Sequence, residues 1–284
     1  MDLSSTLKTL TEDRSDQESV FVLFDGALFQ AMQKAYEYEE SPQICPVYYG
    51  TRHEEAIDVS PCLYAPGSAS KIWSLSEVWR DNGIVFTSSA TFSDVLKHLQ
   101  SLISVTLPSG QMAYWRFYSP EWLSSIMQVF EINDLKDFSG PVTQWAAHVG
   151  DGWEVYRGGV SEGAAQPKEE GWLHLTGEYL ARWKHQMNER FVQEVASEAH
   201  DKINGSPSGA SWESDISRLF DIAKSEGYKK TADLERFIWV FLRHPHALES
   251  TECREVIGDA SCPPARRLDK VEAMLYDIQE GEGL

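Results

Sequence analysis

Positive charge is scarce in this chain of 284 residues: 25 lysines and arginines face 44 aspartates and glutamates, a net charge of −19 with histidine neutral. A surface short of cations cannot neutralise a row of phosphates, which argues against nucleic acid as partner. The same shortage argues against an anionic membrane surface. Long apolar runs are missing too, and none approaches the ~20 residues a membrane helix needs. Met1 to Val20 is polar and acidic, without the apolar stretch of a signal peptide. Cysteine is sparse. The four present, Cys45, Cys62, Cys253 and Cys262, make no disulfide framework in a chain this long, so a reducing cytoplasm is the expected compartment.

What is present is enough for a core: 42% of residues are hydrophobic, with 10 Trp, 11 Tyr and 12 Phe. Residues 1–18 read as a frayed lead-in. Val20 to Phe24 is an unbroken apolar run ended by Asp25-Gly26, as expected of a strand inside a sheet. Ala27 to Glu40 has helical spacing, Pro46 to Tyr49 reads as a second strand, and Ile57 to Tyr64 as a further extended piece. Gly83 to Ser88 reads as another strand. Thr91 to Ile103 carries an apolar stripe of Phe92, Val95, Leu96, Leu99, Leu102 and Ile103. Ser104–Leu107 and Met112–Tyr118, flanking Pro108-Ser109-Gly110, predict a hairpin. Ser119, Pro120 and Glu121 open the next helix as N-cap, first residue and first-turn acid. After the small-residue stretch Ser161–Glu170 only helical patterns follow. The expected architecture is an α+β or α/β domain with a mixed sheet over residues 1–160, a linker over 161–171, and an all-α domain over 172–284.

No catalytic constellation is visible. Asp25-Gly26 invites comparison with phosphatases that use Asp-x-Asp-Gly, but the nucleophile's position is Leu23, so a strand-ending turn is expected. His244, His246, Cys253 and Cys262 match no compact zinc spacing. Serines 88, 89 and 119 lack the Gly-x-Ser-x-Gly elbow, and no phosphate-binding loop is found. No enzyme activity, cofactor or metal is therefore expected. Arg116, between Trp115 and Phe117, either packs its stem on aromatics and pairs with a carboxylate such as Asp25 or Asp58, or contacts a partner.

The order of short motifs adds a family resemblance. They are Val22 to Ala27, Tyr48 to Thr51, Asp58 to Leu63, Gly83 to Ser89, Leu96 to Gly110, Trp115 to Pro120 and Phe138 to Trp145. Together they resemble the Tap/TEC family of type VI secretion adaptor chaperones. One departure is Ser119, where the family pattern usually has Asp before Pro. The resemblance implies a non-enzymatic cytoplasmic adaptor that binds a secreted effector and helps load it on the VgrG spike. An acidic immunity-type protein that inhibits a toxin is the alternative, favoured by net charge alone.

In this resemblance a shared front half with a diverging back half suits a common role in front and a private client behind, so the effector contact is expected in the helical domain. The helix from Thr176 carries Leu180, Trp183, Met187, Phe191, Val195 and Ile203 on one stripe, more often core than surface. The expected partner-binding residues are Tyr179, Arg182, Trp183, His185 and Met187, with Arg116 in front.

Overall fold

A computed structural model describes residues 2–12, 18–159, 168–203, 205–206 and 208–281. The chain forms two compact units, Met1–Trp183 and Lys184–Leu284. The first contains α1 (Leu3–Glu12), β1 (Ser19–Phe24), α2 (Ala31–Tyr38), β2 (Gln43–Pro46), β3 (Cys62–Ala65), α3 (Ser76–Trp79), β4 (Gly83–Ser88) and α4 (Phe92–Ser101). It continues through β5 (Ser104–Thr106), β6 (Met112–Tyr114), α5 (Pro120–Val129), α6 (Ile132–Ser139), β7 (Val142–Val149), β8 (Gly152–Arg157) and the first turns of α7 (Gly177–Lys202).

Six strands form one sheet in the order β2-β3-β1-β4-β7-β8. Every pairing in it is antiparallel, so of the two expected classes the α+β arrangement is realised and the expected mixed sheet runs antiparallel throughout. The apolar run of β1 follows from its place between β3 and β4. Phe21 and Leu23 enter one core, with Val95, Leu99, Leu123, Ile126, Phe138 and Trp145. Val22 and Phe24 enter the other, with Leu10, Ala31, Ala35, Ile72 and Trp79. Helices cover both faces, which removes a solvent face and with it the alternating pattern. Phe21 pairs with Phe86 across the ladder, their rings stacked at 5.3 Å. The hairpin β5–β6 forms at the expected turn.

Several expectations shift. Residues 2–12 are not a frayed lead-in but begin with α1, whose Leu3 and Leu10 are buried. Leu3, Thr6 and Leu10 recur at helical spacing, a stripe hidden among polar residues. The second strand lies at Gln43–Pro46, because Tyr48 to Gly50 turn away: the Tyr49 N–H donates to the Pro46 carbonyl at 3.2 Å and that of Thr51 to Tyr48 at 3.0 Å. Strand β6 stops at Tyr114, so Arg116 stands in a turn closed by the Ser119 N–H on its carbonyl at 3.0 Å. Of the expected linker, residues 161–167 lie outside the described residues. Leu173, Leu175, Tyr179 and Trp183 pack into the first unit's core. The division therefore falls inside α7, at Trp183, and not at residue 171. Backbone bonds between Thr106 and both Leu173 and Leu175, each 2.8 Å, hold that segment against the hairpin.

The second unit is helical: the rest of α7, α8 (Trp212–Ser225), α9 (Thr231–Arg243), α10 (Thr251–Gly258) and α11 (Pro264–Gly281). Its core gathers Val195, Ala199, Ile216, Leu219, Phe237, Phe241, Leu268 and Val271. Ser211 caps α8, its hydroxyl accepting the Ser214 N–H at 3.2 Å. Gly227 ends the helix at φ +85°, a conformation glycine adopts without strain.

His98 on α4 illustrates how the first unit is sealed. Its Nε2–H donates to the Phe138 carbonyl at 2.8 Å. Gly140 closes α6 at φ +53° with its Cα against the same ring, where a Cβ would lie 2.4 Å from Cε1. Burial lowers the His98 pKa to about 4, against a smaller raising effect of the Phe138 bond. Protonation therefore favours the unfolded chain, and stability should fall as pH drops from about 6.5 towards 4, by about 3 kcal/mol at the lower end. Urea midpoints at pH 7 and pH 4.5 check this. The drop should shrink in His98→Gln; an equal drop in both proteins rejects the assignment.

Candidate functional site

Motifs scattered between residues 22 and 120 meet at one point of the first unit. Asp25 follows β1 and is 2% exposed. One of its carboxylate oxygens accepts the Ala27 N–H at 3.0 Å. The other pairs with Nη2 of Arg116, whose side chain is 46% exposed. The Asp25 carboxylate acts on Arg116 from below, and this hydrogen bond raises the Arg116 pKa. Gly26 abuts the segment before β3: a Cβ there would lie 1.8 Å from the Ser60 carbonyl oxygen. Ser60 in turn accepts the Tyr48 N–H at 2.9 Å. Gln100 on α4 clamps the same turn, its amide donating to the carbonyls of Val47 at 3.1 Å and Tyr49 at 2.9 Å. Gly26→Ala should accordingly displace the Ser60 backbone and destabilise the first unit by about 3 kcal/mol or more, the range reserved for severe steric defects; a thermal melt within a degree or two of the parent protein contradicts this close approach.

Around this clamp stand four tyrosines. Tyr48 and Tyr118 are buried, and burial pushes both hydroxyls up, that of Tyr118 strongly. Tyr114 is 49% exposed and Tyr49 60%. The hydroxyls of Tyr114 and Tyr118 lie 3.2 Å apart. The ring of His53 lies 5.6 Å from that of Tyr48 and 6.0 Å from that of Tyr114. Below them, Glu170 gathers three donors: Arg52 Nη2 at 2.9 Å, His53 Nε2 at 2.8 Å and the Ser104 hydroxyl. Burial works to raise the Glu170 pKa, but those hydrogen bonds outweigh it and hold the carboxyl below its ordinary value.

Serine, histidine and glutamate thus meet here, but in an order that cannot activate a nucleophile. A triad needs the imidazole between hydroxyl and carboxylate, to take the hydroxyl proton. Here the carboxylate stands between them and accepts from both, a structural tie between the hairpin and the segment before α7. Exposed around this tie are Tyr49 and Arg52 on the segment after β2, Met112 and Tyr114 on β6, and Arg116 on the turn that follows. Tyrosine and arginine dominate binding energy at protein interfaces, and the Gln100 clamp lowers the ordering cost of association.

The residues expected to touch a partner are scattered. Arg116 is among these exposed residues and makes the Asp25 pair. Tyr179 is buried at 5% exposure, its hydroxyl bonded to Asp134 and to the Glu131 N–H at 3.2 Å. Trp183 is 3% exposed and donates to the Ser125 carbonyl at 3.2 Å. Both are core residues of the first unit, because their side of α7 faces Phe130. Arg182 is exposed in pairs with Glu131 at 3.1 Å and Glu178 at 2.5 Å. His185 lies 3.3 Å from Glu189, and Met187 is 57% exposed. The stripe on α7 therefore splits: Trp183 serves one core, Phe191, Val195 and Ile203 the other. Tyr49, Tyr114, Arg52, His53 and Glu170 escape a reading of the sequence, because only the fold brings the segment of Tyr49, Arg52 and His53 to Tyr114 and Glu170; only Tyr49 belongs to a motif that singles it out. Among the described residues no group of three or more His, Cys, Asp or Glu could hold a metal, and no helix is long and apolar enough to cross a membrane.

Residues 20–136 match the model of a family described as a domain of unknown function (DUF4123). The matched stretch contains Asp25, Tyr48, Tyr49, Ser60, Gln100, Tyr114, Arg116 and Tyr118, and leaves out the helical unit altogether. No curated protein and no solved structure matches the chain.

Proposed function

We propose that this protein is an adaptor chaperone of the producing cell's cytoplasm: it binds a type VI secretion effector and helps load it on the VgrG spike. The observation that carries the reading is a coincidence on one stretch of chain. Six of the seven ordered motifs that resemble the Tap/TEC adaptors fall within the family-model match over residues 20–136, and the fold brings several of them together beside exposed tyrosine and arginine side chains. The role is binding, without a covalent step. In this reading the surface of Tyr49, Tyr114 and Arg116 makes the shared contact with the spike, and the helical unit holds the client.

The test is affinity purification of the full chain from the bacterium that produces it. Both an effector and VgrG should be recovered. Replacing Tyr49 and Tyr114 together by alanine should cost about 2 kcal/mol or more of spike binding, with a smaller loss of stability, about 1 kcal/mol, for the Tyr114–Tyr118 hydrogen bond. Recovery of a toxin alone, with its toxicity neutralised, would favour the immunity-type reading; recovery of neither protein rejects the adaptor.

A further inference from the structure

The core of the second unit reaches the surface in one groove, where Trp239 and Leu275 pack on it but stay half-buried. Helix α9 buries Leu234, Phe237, Ile238 and Phe241. Its other flank, Ala232, Glu235, Arg236, Trp239, Val240 and Arg243, floors a groove of about 610 Å3. One wall is the end of α7, with Glu198 and Lys202; the other is α11, with Glu272, Leu275 and Tyr276. From Ala232 to Arg243 the floor runs along three turns of helix, about 16 Å.

Three features specify what fits there. The centre is apolar: Trp239 and Leu275 are half-buried there, and Val240, 8% exposed, closes the base. Its ring is already held, with Lys202 5.4 Å from the centroid on one side and Arg243 at 5.6 Å, so little rotamer freedom remains to be lost on binding. Charge is also polarised along the groove. Lys202, Arg243 and His244 stand towards the C-terminal end of α9, with Glu198 paired to Lys202. At the other end Arg236 is engaged by Asp269 at 2.8 Å and Glu272 at 2.6 Å, and Glu235 adds a further acid. One end therefore carries an excess of cations and the other an excess of carboxylates.

We infer that this groove binds a three-turn amphipathic α-helix of a partner protein, its apolar stripe on Trp239, Val240 and Leu275 and its C-terminal end towards Arg243. A guest of three helical turns spans the floor from end to end. Polarity sets its direction: a helix carries partial positive charge at its N-terminus and negative at its C-terminus, which matches the groove only when the guest runs parallel to α9. A basic first turn and an acidic last turn in the guest strengthen the match. Helix-in-groove recognition of this kind relies on apolar anchors spaced i, i+3, i+4 and i+7. The inference deepens the adaptor reading, in which the client supplies the helix, and rests on it only for the guest's identity. It can fail while spike and effector are still co-purified, and it can hold if they are not.

The probe is a pair of fluorescein-labelled synthetic peptides of about 15 residues, each with leucine and phenylalanine at those spacings. One has lysines in its first turn and glutamates in its last; the other has the order reversed. Both are stapled on the polar face, so that their helicity is equal. Fluorescence anisotropy against the full-length protein should show the first binding about tenfold more tightly than the second. Trp239→Ala should weaken it by about tenfold or more. Arg243→Glu, at an exposed site where the fold is not at risk, should reverse the preference between the two peptides. Equal affinities for both peptides, no binding of either, or a preference unchanged by Arg243→Glu overturns the inference.

Discussion

Arg116→Ala is expected to lower the stability of the first unit by about 3 kcal/mol, the low end of what breaking a buried ion pair costs. The reason is an asymmetry within the pair. The Asp25 side chain is 3% exposed and that of Arg116 46%. Removing the arginine leaves a carboxylate under the surface with only the Ala27 N–H at 3.0 Å in compensation. Partial access of water through the vacated site keeps the loss from the top of that range. Asp25→Asn on the same background removes the stranded charge while an amide oxygen can still accept from Ala27. The double variant should therefore regain about half of the loss, the non-additivity expected of contacting residues. Urea titrations of the single and double variants, followed by near-UV circular dichroism from the aromatic-rich first unit, make the comparison. Strict additivity would mean that the pair contributes nothing as a pair. The double variant also separates the two readings of Arg116. If the arginine only neutralises Asp25, spike binding returns along with stability; if it also contacts the spike, the stable double variant still binds weakly.

Much of the first unit is legible in the sequence for identifiable reasons. Strand β1 declares itself because its flanking strands and the helices on both faces leave it no solvent side, so its residues are apolar without alternation. Helix α4 declares itself through a stripe that serves one core only. The Asp25–Arg116 pair is legible as chemistry, since an arginine between aromatics needs a carboxylate, and Asp25 is one of two offered. What the sequence hides is of a different kind. Helix α7 carries one apparent stripe, but Trp183 and Val195 belong to different cores, and periodicity cannot report a change of neighbour. Tyr179 has the composition of a hot spot and the burial of a core residue, because Phe130 lies 4.9 Å away. The gathering of Glu170 with Arg52, His53 and Ser104 joins residues 66 to 118 positions apart, which no local pattern encodes.

The second unit turns on one residue that local pattern cannot distinguish from its neighbour. Arg266 and Arg267 are adjacent on α11; Arg266 is exposed, and Arg267 is 4% exposed. Nη1 of Arg267 donates to the Glu226 carbonyl at 2.9 Å, at the end of α8, and to the Ile257 carbonyl in the last turn of α10. Its guanidinium also lies 4.9 Å from the centre of the Tyr228 ring. Helix ends present unpaired carbonyls and partial negative charge, so a cation held between two of them satisfies both. Arg267→Met keeps most of the apolar stem and removes those donors, leaving two carbonyls short of partners at about 1–3 kcal/mol each. The expected loss is about 3 kcal/mol or more, which in a helical unit of this size lowers its melting temperature by about 15 °C. Arg267→Lys should recover only part, since the ammonium sits on a shorter stem and cannot stack a flat cation on the Tyr228 ring. Arg266→Ala, one residue away on the solvent side, should stay within about 0.5 kcal/mol of the parent protein. Thermal unfolding followed at 222 nm, where the helical unit dominates the signal, ranks the three variants. A melting temperature for Arg267→Met no lower than that for Arg266→Ala would mean that the two helix ends are held by something other than this arginine.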